Sequence, residues 1–282
     1  MDQRELERWL LTKNSEYRQR DIAPKARPFL ALSDLSVELQ SSILFNSPLA
    51  NSVFDWFEKN TKADAHWIGS LFAGSYFYDA TFWKLTIPLI YGSRKVNALD
   101  LLVDMPEAMK AGLKGDNKES WEFAFCAADT IDYALGFDEV LKHKAESELV
   151  LQLLQNGDAQ LRSCATGLLA QHPNRGIIQA GRLATEIFLK SLLCARANAD
   201  EAKIREFGHR LPELVKAAFA ATQNPDLSKL ELSLGIYPSI TDRYTGTEEE
   251  PRLLWDCYRV ALGFGATAIR VLTGRDTRPQ CW

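Results

Sequence analysis

Apolar residues recur at intervals of three and four along most of the chain, the spacing of amphipathic helices. The pattern predicts helices over 2–20, 33–45, 48–59, 62–91, 96–112, 118–135, 138–155, 158–171, 174–197, 200–206, 211–222, 226–234 and 251–273. Short alternating runs of β-branched residues between turn residues, the mark of strands, are nearly absent. Punctuation agrees with several of these ends. Ser47-Pro48 reads as an N-cap followed by proline in the first helical turn, and Gly274 follows the last helix. The expected fold class is all-α.

Two interruptions suggest organisation. Asn156-Gly157-Asp158 and His172-Pro173-Asn174 bracket a short helix, which places a domain boundary at 157/158. An N-terminal helical region would cover 1–157 and a helical domain 158–282. The stretch 235–250, GIYPSITDRYTGTEEE, lacks helical periodicity, and loops of that length in compact domains are usually functional or disordered. At an offset of 106 the pairs His66/His172, Phe82/Phe188, Lys84/Lys190, Pro106/Pro212, Glu107/Glu213, Lys110/Lys216 and Ala111/Ala217 coincide. That coincidence raises a diverged tandem duplication as a reading, with chance as the alternative.

Composition narrows the class of protein. The 282 residues include 33 Lys and Arg against 37 Asp and Glu, for a formal net charge of −4. This argues against a general nucleic-acid coat but leaves room for a local basic face. Five cysteines without CxxC spacing fit a reducing, cytoplasmic setting. The mixed-charge start MDQRELERW has no signal-peptide pattern, and no apolar run reaches membrane-spanning length, so no membrane association is expected.

The segment AGRLATEIFLKSLLCARANADEAKIREFGHRLPELVKAA, residues 180–218, carries a long helix with an alanine-rich face. It holds Glu186 and Lys190, then Gly208-His209-Arg210-Leu211 with Leu214 at the entry to a second helix. Tyr237, Arg243-Tyr244 and the apolar helix 251–272 follow. Over about 174–273 the chain resembles the HEPN family. The resemblance implies an up-and-down bundle of four to five helices, homodimerisation through an apolar helix, and a bacterial-type defence or toxin–antitoxin partner. Catalytic members are ribonucleases with an Arg separated from a following His by four to six residues. The corresponding positions here are Lys59–Thr61 before His66, Gly136–Asp138 before His143, Ala165–Gly167 before His172 and Ala202–Ile204 before His209. None holds Arg, so the ribonuclease chemistry is not carried over.

Glu139, His143 and Glu146 share a helix face but lack a second ligand pair, so no metal site is expected. Gly263-Phe264-Gly265 mimics half a dinucleotide fingerprint without a strand before it, and reads as close helix packing; no cofactor is expected. Trp67, Phe72, Tyr76 and Trp83 fall near one face of the helix expected at 62–91, with Asp79 among aromatics as a candidate enzymatic carboxylate. Arg252, Arg259 and Arg270 lie at i, i+7 and i+18 on the last helix, aligned within about twenty degrees. Arg binds phosphate through its bidentate fork. The candidate ligand site is therefore Arg243, Arg252 and Arg259 with His209, holding a nucleotide or RNA phosphate without catalysis. The alternative is a homodimeric scaffold. Asp256 and Glu248, Glu249 and Glu250 are the carboxylates that would oppose phosphate binding.

Overall fold

The computed structural model describes residues 2–45, 47–61, 70–88, 96–143, 145–238 and 249–280. Among the described residues, apart from one two-stranded sheet, the fold is all-α, as the periodicity predicts. The chain divides into two compact units, Met1–Gly69 and Ser70–Trp282.

The first unit contains α1 (Gln3–Gln19), α2 (Arg27–Glu38) and α3 (Pro48–Asn60). A capping box opens α1: the Glu5 amide donates to Asp2 and the Asp2 amide donates to the Glu5 carboxylate. Ser47 caps α3 ahead of Pro48, as its sequence predicts. Leu6, Leu10, Leu32, Leu35, Val53 and Phe57 form its core around Tyr17, whose hydroxyl donates to Asp34 at 2.9 Å.

The second unit opens with β1 (Ser70–Tyr78) and β2 (Thr81–Pro88), an antiparallel hairpin. This corrects the helix expected over 62–91, whose residues 62–69 and 89–91 lie outside the described set. The segment is dense in Phe, Tyr, Trp, Thr and Ile, which suit a pleated surface. Asp79 and Ala80 make the two-residue turn with φ of 51° and 57°. Paired positive φ values are the geometry of a hairpin turn that follows strand twist. Asp79 is exposed at the tip, outside the aromatic core, so the enzymatic reading attached to it fails. The duplication fails here too, because Phe82 and Lys84 lie on β2 whereas Phe188 and Lys190 lie on a helix.

The helices that follow are α4 (Glu107–Gly115), α5 (Asn117–His143), α6 (Glu148–Leu168), α7 (Gly176–Ala197), α8 (Glu201–Glu206), α9 (Leu211–Thr222), α10 (Pro225–Glu231) and α11 (Pro251–Thr273). The breaks expected near Gly136 and Gly157 do not exist: both glycines sit inside continuous helices, and the boundary placed at 157/158 falls within α6. Each glycine instead admits a neighbour. A Cβ on Gly136 would overlap Ile269 of α11, and one on Gly157 would lie 2.6 Å from the Phe188 ring. The real stop lies before Ser147, which caps α6 by accepting from Val150 N–H.

The nearly all-apolar α11 is explained by its position. It packs against α5, α6, α7, α10 and β1, and residues from Leu254 to Arg270 are buried with few exceptions. Gly263 and Gly265 within it admit Leu230 and the rings of Phe188 and Tyr133, the close packing their sequence suggested. The apolar character of α11 is thus used within one chain.

Candidate functional site

The N-terminal half of α11 brings Arg252 and Arg259 together over one ring. Their guanidinium carbons lie 5.0 and 5.5 Å from the centre of buried Trp255, one on each neighbouring turn. Both side chains remain partly open, at 39% and 43% exposure. Stacking on an aromatic face fixes a guanidinium in place and leaves its edge N–H groups available.

Carboxylates attend the pair. Arg252 Nη2 meets Glu122 Oε2 on α5 at 3.0 Å, and Arg252 Nε lies 3.4 Å from Asp256 Oδ1. Arg259 has the looser contact, 4.0 Å to the same Asp256 oxygen. Glu249, expected to crowd this helix start, pairs with Arg175 at 3.4 Å, and Glu250 is the N-cap residue. Glu248 lies outside the described residues, as does Arg243.

Arg270, aligned with the pair in sequence, is withdrawn from it. It is buried, donating to Asp132 at 2.8 Å and to Asp129 at 2.6 Å. Asp132 also accepts from the Thr277 amide, which fastens the segment after α11 to α5. Burial, partly offset by Arg270, pushes the Asp129 carboxyl above its usual range.

His209 belongs to a different cluster. Its Nδ1 lies 2.8 Å from Glu186 Oε2, while Lys190 Nζ takes Oε1 of the same carboxylate at 2.6 Å. Among the described residues it shares no hydrogen bond or ion pair with Arg252 or Arg259. The single site drawn from sequence is therefore two clusters, one on α11 with α5 and one on α7 with the α8–α9 turn.

No family model, curated protein or solved structure matches this chain.

Two side chains missed in the sequence neighbour Glu122, the α5 partner of Arg252. Trp121 and Phe125 flank Glu122 on α5 and are 49% and 46% exposed, with ring centroids 6.4 Å apart. The signal was present: 121 and 125 are one turn apart and lie off the apolar stripe marked by Phe123, Cys126, Ala127 and Tyr133. Cys126, the buried neighbour of Phe125, has its thiol pushed up to about 12 by burial and by Asp129.

The carboxylates grouped with His143 in the sequence are engaged in ion pairs. Glu139 pairs with Arg275 and Glu146 with Arg196. Among the described residues no three His, Cys, Asp or Glu side chains converge as a metal site, and no helix is long and apolar enough to cross a membrane.

Proposed function

We propose that the surface formed by α11 and α5 binds a nucleotide or a short single-stranded RNA. Arg252 and Arg259 hold phosphate, and Trp121 and Phe125 provide faces for bases. The observation that carries this reading is the pair of guanidiniums stacked on Trp255, with Arg252 joined to Glu122 on the helix that also carries the half-exposed rings of Trp121 and Phe125. Single strands are held by this combination, with a base–aromatic stack contributing about 1–3 kcal/mol. Glu122 and Asp256 keep the Arg side chains extended until phosphate replaces them, which makes binding modest and favours Arg259, the less tightly paired cation. The resemblance of 174–273 to HEPN domains, without the ribonuclease motif, accords with binding in the absence of cleavage.

The test is fluorescence anisotropy of a labelled oligouridylate over a salt series, with unlabelled nucleotides as competitors. Affinity falls as salt rises, because phosphate contacts release counterions. The double variant Arg252→Gln/Arg259→Gln binds at least tenfold more weakly with an unchanged circular dichroism spectrum. Absence of binding at low salt, or an unaffected double variant, defeats the proposal.

A second reading uses the same patch for a protein, either a second copy in a homodimer or a defence-system partner. Exposed Trp, Phe and Arg are the residue types concentrated at interface hot spots. Sedimentation at rising concentration separates the homodimer from the RNA reading: self-association lost in Trp121→Ser favours the former.

A further inference from the structure

We propose that Arg182, Lys190 and His209 form a second site, for a small tetrahedral oxyanion of the phosphate or sulfate type, separate from the α11 surface. The site begins with a nearly buried carboxylate. Glu186, 7% exposed, has both oxygens engaged by side chains from different parts of the chain: Lys190 one turn along α7, and His209 from the α8–α9 turn. With Nδ1 turned to Glu186 and the side chain 71% exposed, the imidazole presents its other nitrogen, Nε2, outward. A carboxylate that holds one ring nitrogen fixes the orientation of the other.

Arg182 supplies the remaining charge. It stands one turn before Glu186 on α7, and its Nη2 reaches the His209 carbonyl at 3.5 Å. Among the described residues it pairs with no carboxylate. The neighbouring cations differ, since Lys203 pairs with Glu206, Arg205 with Glu201 and Arg210 with Glu213. Around Glu186 there are thus two permanent cations and one imidazole for one carboxylate. When the imidazole is protonated, Nε2–H becomes a donor and the cluster carries a surplus of two positive charges. A dianion with several acceptor oxygens balances that surplus through charge-assisted hydrogen bonds. A planar carboxylate or halide meets fewer of these donors.

Sulfate is the probe, because its charge does not change near neutrality. The experiment follows the ring signals of the four histidines by NMR at pH 6, with ionic strength held constant by chloride, and His209→Gln assigns the relevant peak. The expected result is a saturable shift confined to His209, with an apparent Kd at least fivefold weaker in Arg182→Gln and in Lys190→Gln. Arg252→Gln/Arg259→Gln keeps the wild-type sulfate response, so failure of the RNA proposal leaves this one standing, and the reverse holds as well. The proposal is overturned if sulfate shifts all four histidines alike, if the shift does not saturate, or if Arg182→Gln responds as the wild type does.

Discussion

Phe188 of α7 lies with its ring edge where a side chain at Gly157 of α6 would begin, so that a Cβ there would stand 2.6 Å from ring carbon Cε1. The same ring meets Gly265 of α11 and packs edge-on to Tyr133 of α5 at 5.7 Å. One side chain thereby sets the spacing of all four long helices of the second unit. The Tyr133 hydroxyl, donating to Asp158 at 2.9 Å, ties α5 to α6 one residue beyond Gly157.

Gly157→Ala therefore has two opposing effects. Alanine favours a helix interior by roughly 1 kcal/mol, whereas overpacking costs about 1–3 kcal/mol when the neighbour cannot move. Phe188 is wholly buried, with glycines on two sides, so overpacking wins. Urea unfolding should show a net loss of stability for Gly157→Ala. Gly115→Ala, where a Cβ meets nothing within 4 Å, should show none. Equal behaviour of the two variants would contradict the packing account.

Arg270→Ala should be among the most damaging single changes. It strands Asp132, which is fully buried, and leaves Asp129 without its 2.6 Å partner. Removing one partner of a buried pair costs about 3–5 kcal/mol, because the remaining charge is uncompensated. Thermal unfolding measures this, with Arg205→Ala, an exposed helix-surface pair, as the comparison expected to fall within about 0.5 kcal/mol of wild type.

Much of the helical fold was legible because helix ends carry local chemistry. Ser47 before Pro48 and Gly274 at φ of 73° each mark an end that the structure shares. The expected spans 211–222 and 251–273 coincide with α9 and α11. The hairpin was not legible, since its turn is Asp79-Ala80 and lacks the glycine that usually announces two positive φ values. Gly136 and Gly157 misled for a related reason: local reading treats glycine as punctuation, but here it admits a side chain from a distant helix. The candidate site was half legible. Helical spacing aligned Arg252 and Arg259, but it had no means of showing that Glu122, 130 positions away, would pair with Arg252. Nor did alignment distinguish Arg270, which burial separates from the partly exposed Arg252 and Arg259.

Cys126, Cys164 and Cys257 should resist alkylation in the folded protein. Burial raises each thiol to about 12, so at pH 8 the reactive thiolate is scarce and the sulfur is also shielded. Iodoacetamide at pH 8 followed by peptide mass spectrometry should leave all three unmodified over a period in which denatured protein reacts fully. Rapid labelling of any one in the native state would show that its segment opens readily.

Trp121 of α5 and Trp255 of α11 differ sharply in burial. Trp255 is fully buried, with its ring packed at 5.4 Å against Tyr76 and its indole N–H directed to the Ser75 carbonyl at 3.4 Å. Trp255→Ala should cost about 3–5 kcal/mol of stability, the range for deleting a buried aromatic. It also removes the platform that carries Arg252 and Arg259. Trp121 is half exposed, so Trp121→Ser should cost about 1 kcal/mol of stability, well below the loss at Trp255. If its face stacks a base, that same change should weaken oligouridylate binding by about 1–3 kcal/mol, a factor of roughly five to a hundred and fifty. Denaturant unfolding and anisotropy on the same two variants separate these roles. A Trp121 variant that binds as well as wild type would remove the aromatic face from the RNA proposal and leave the guanidinium pair to act alone.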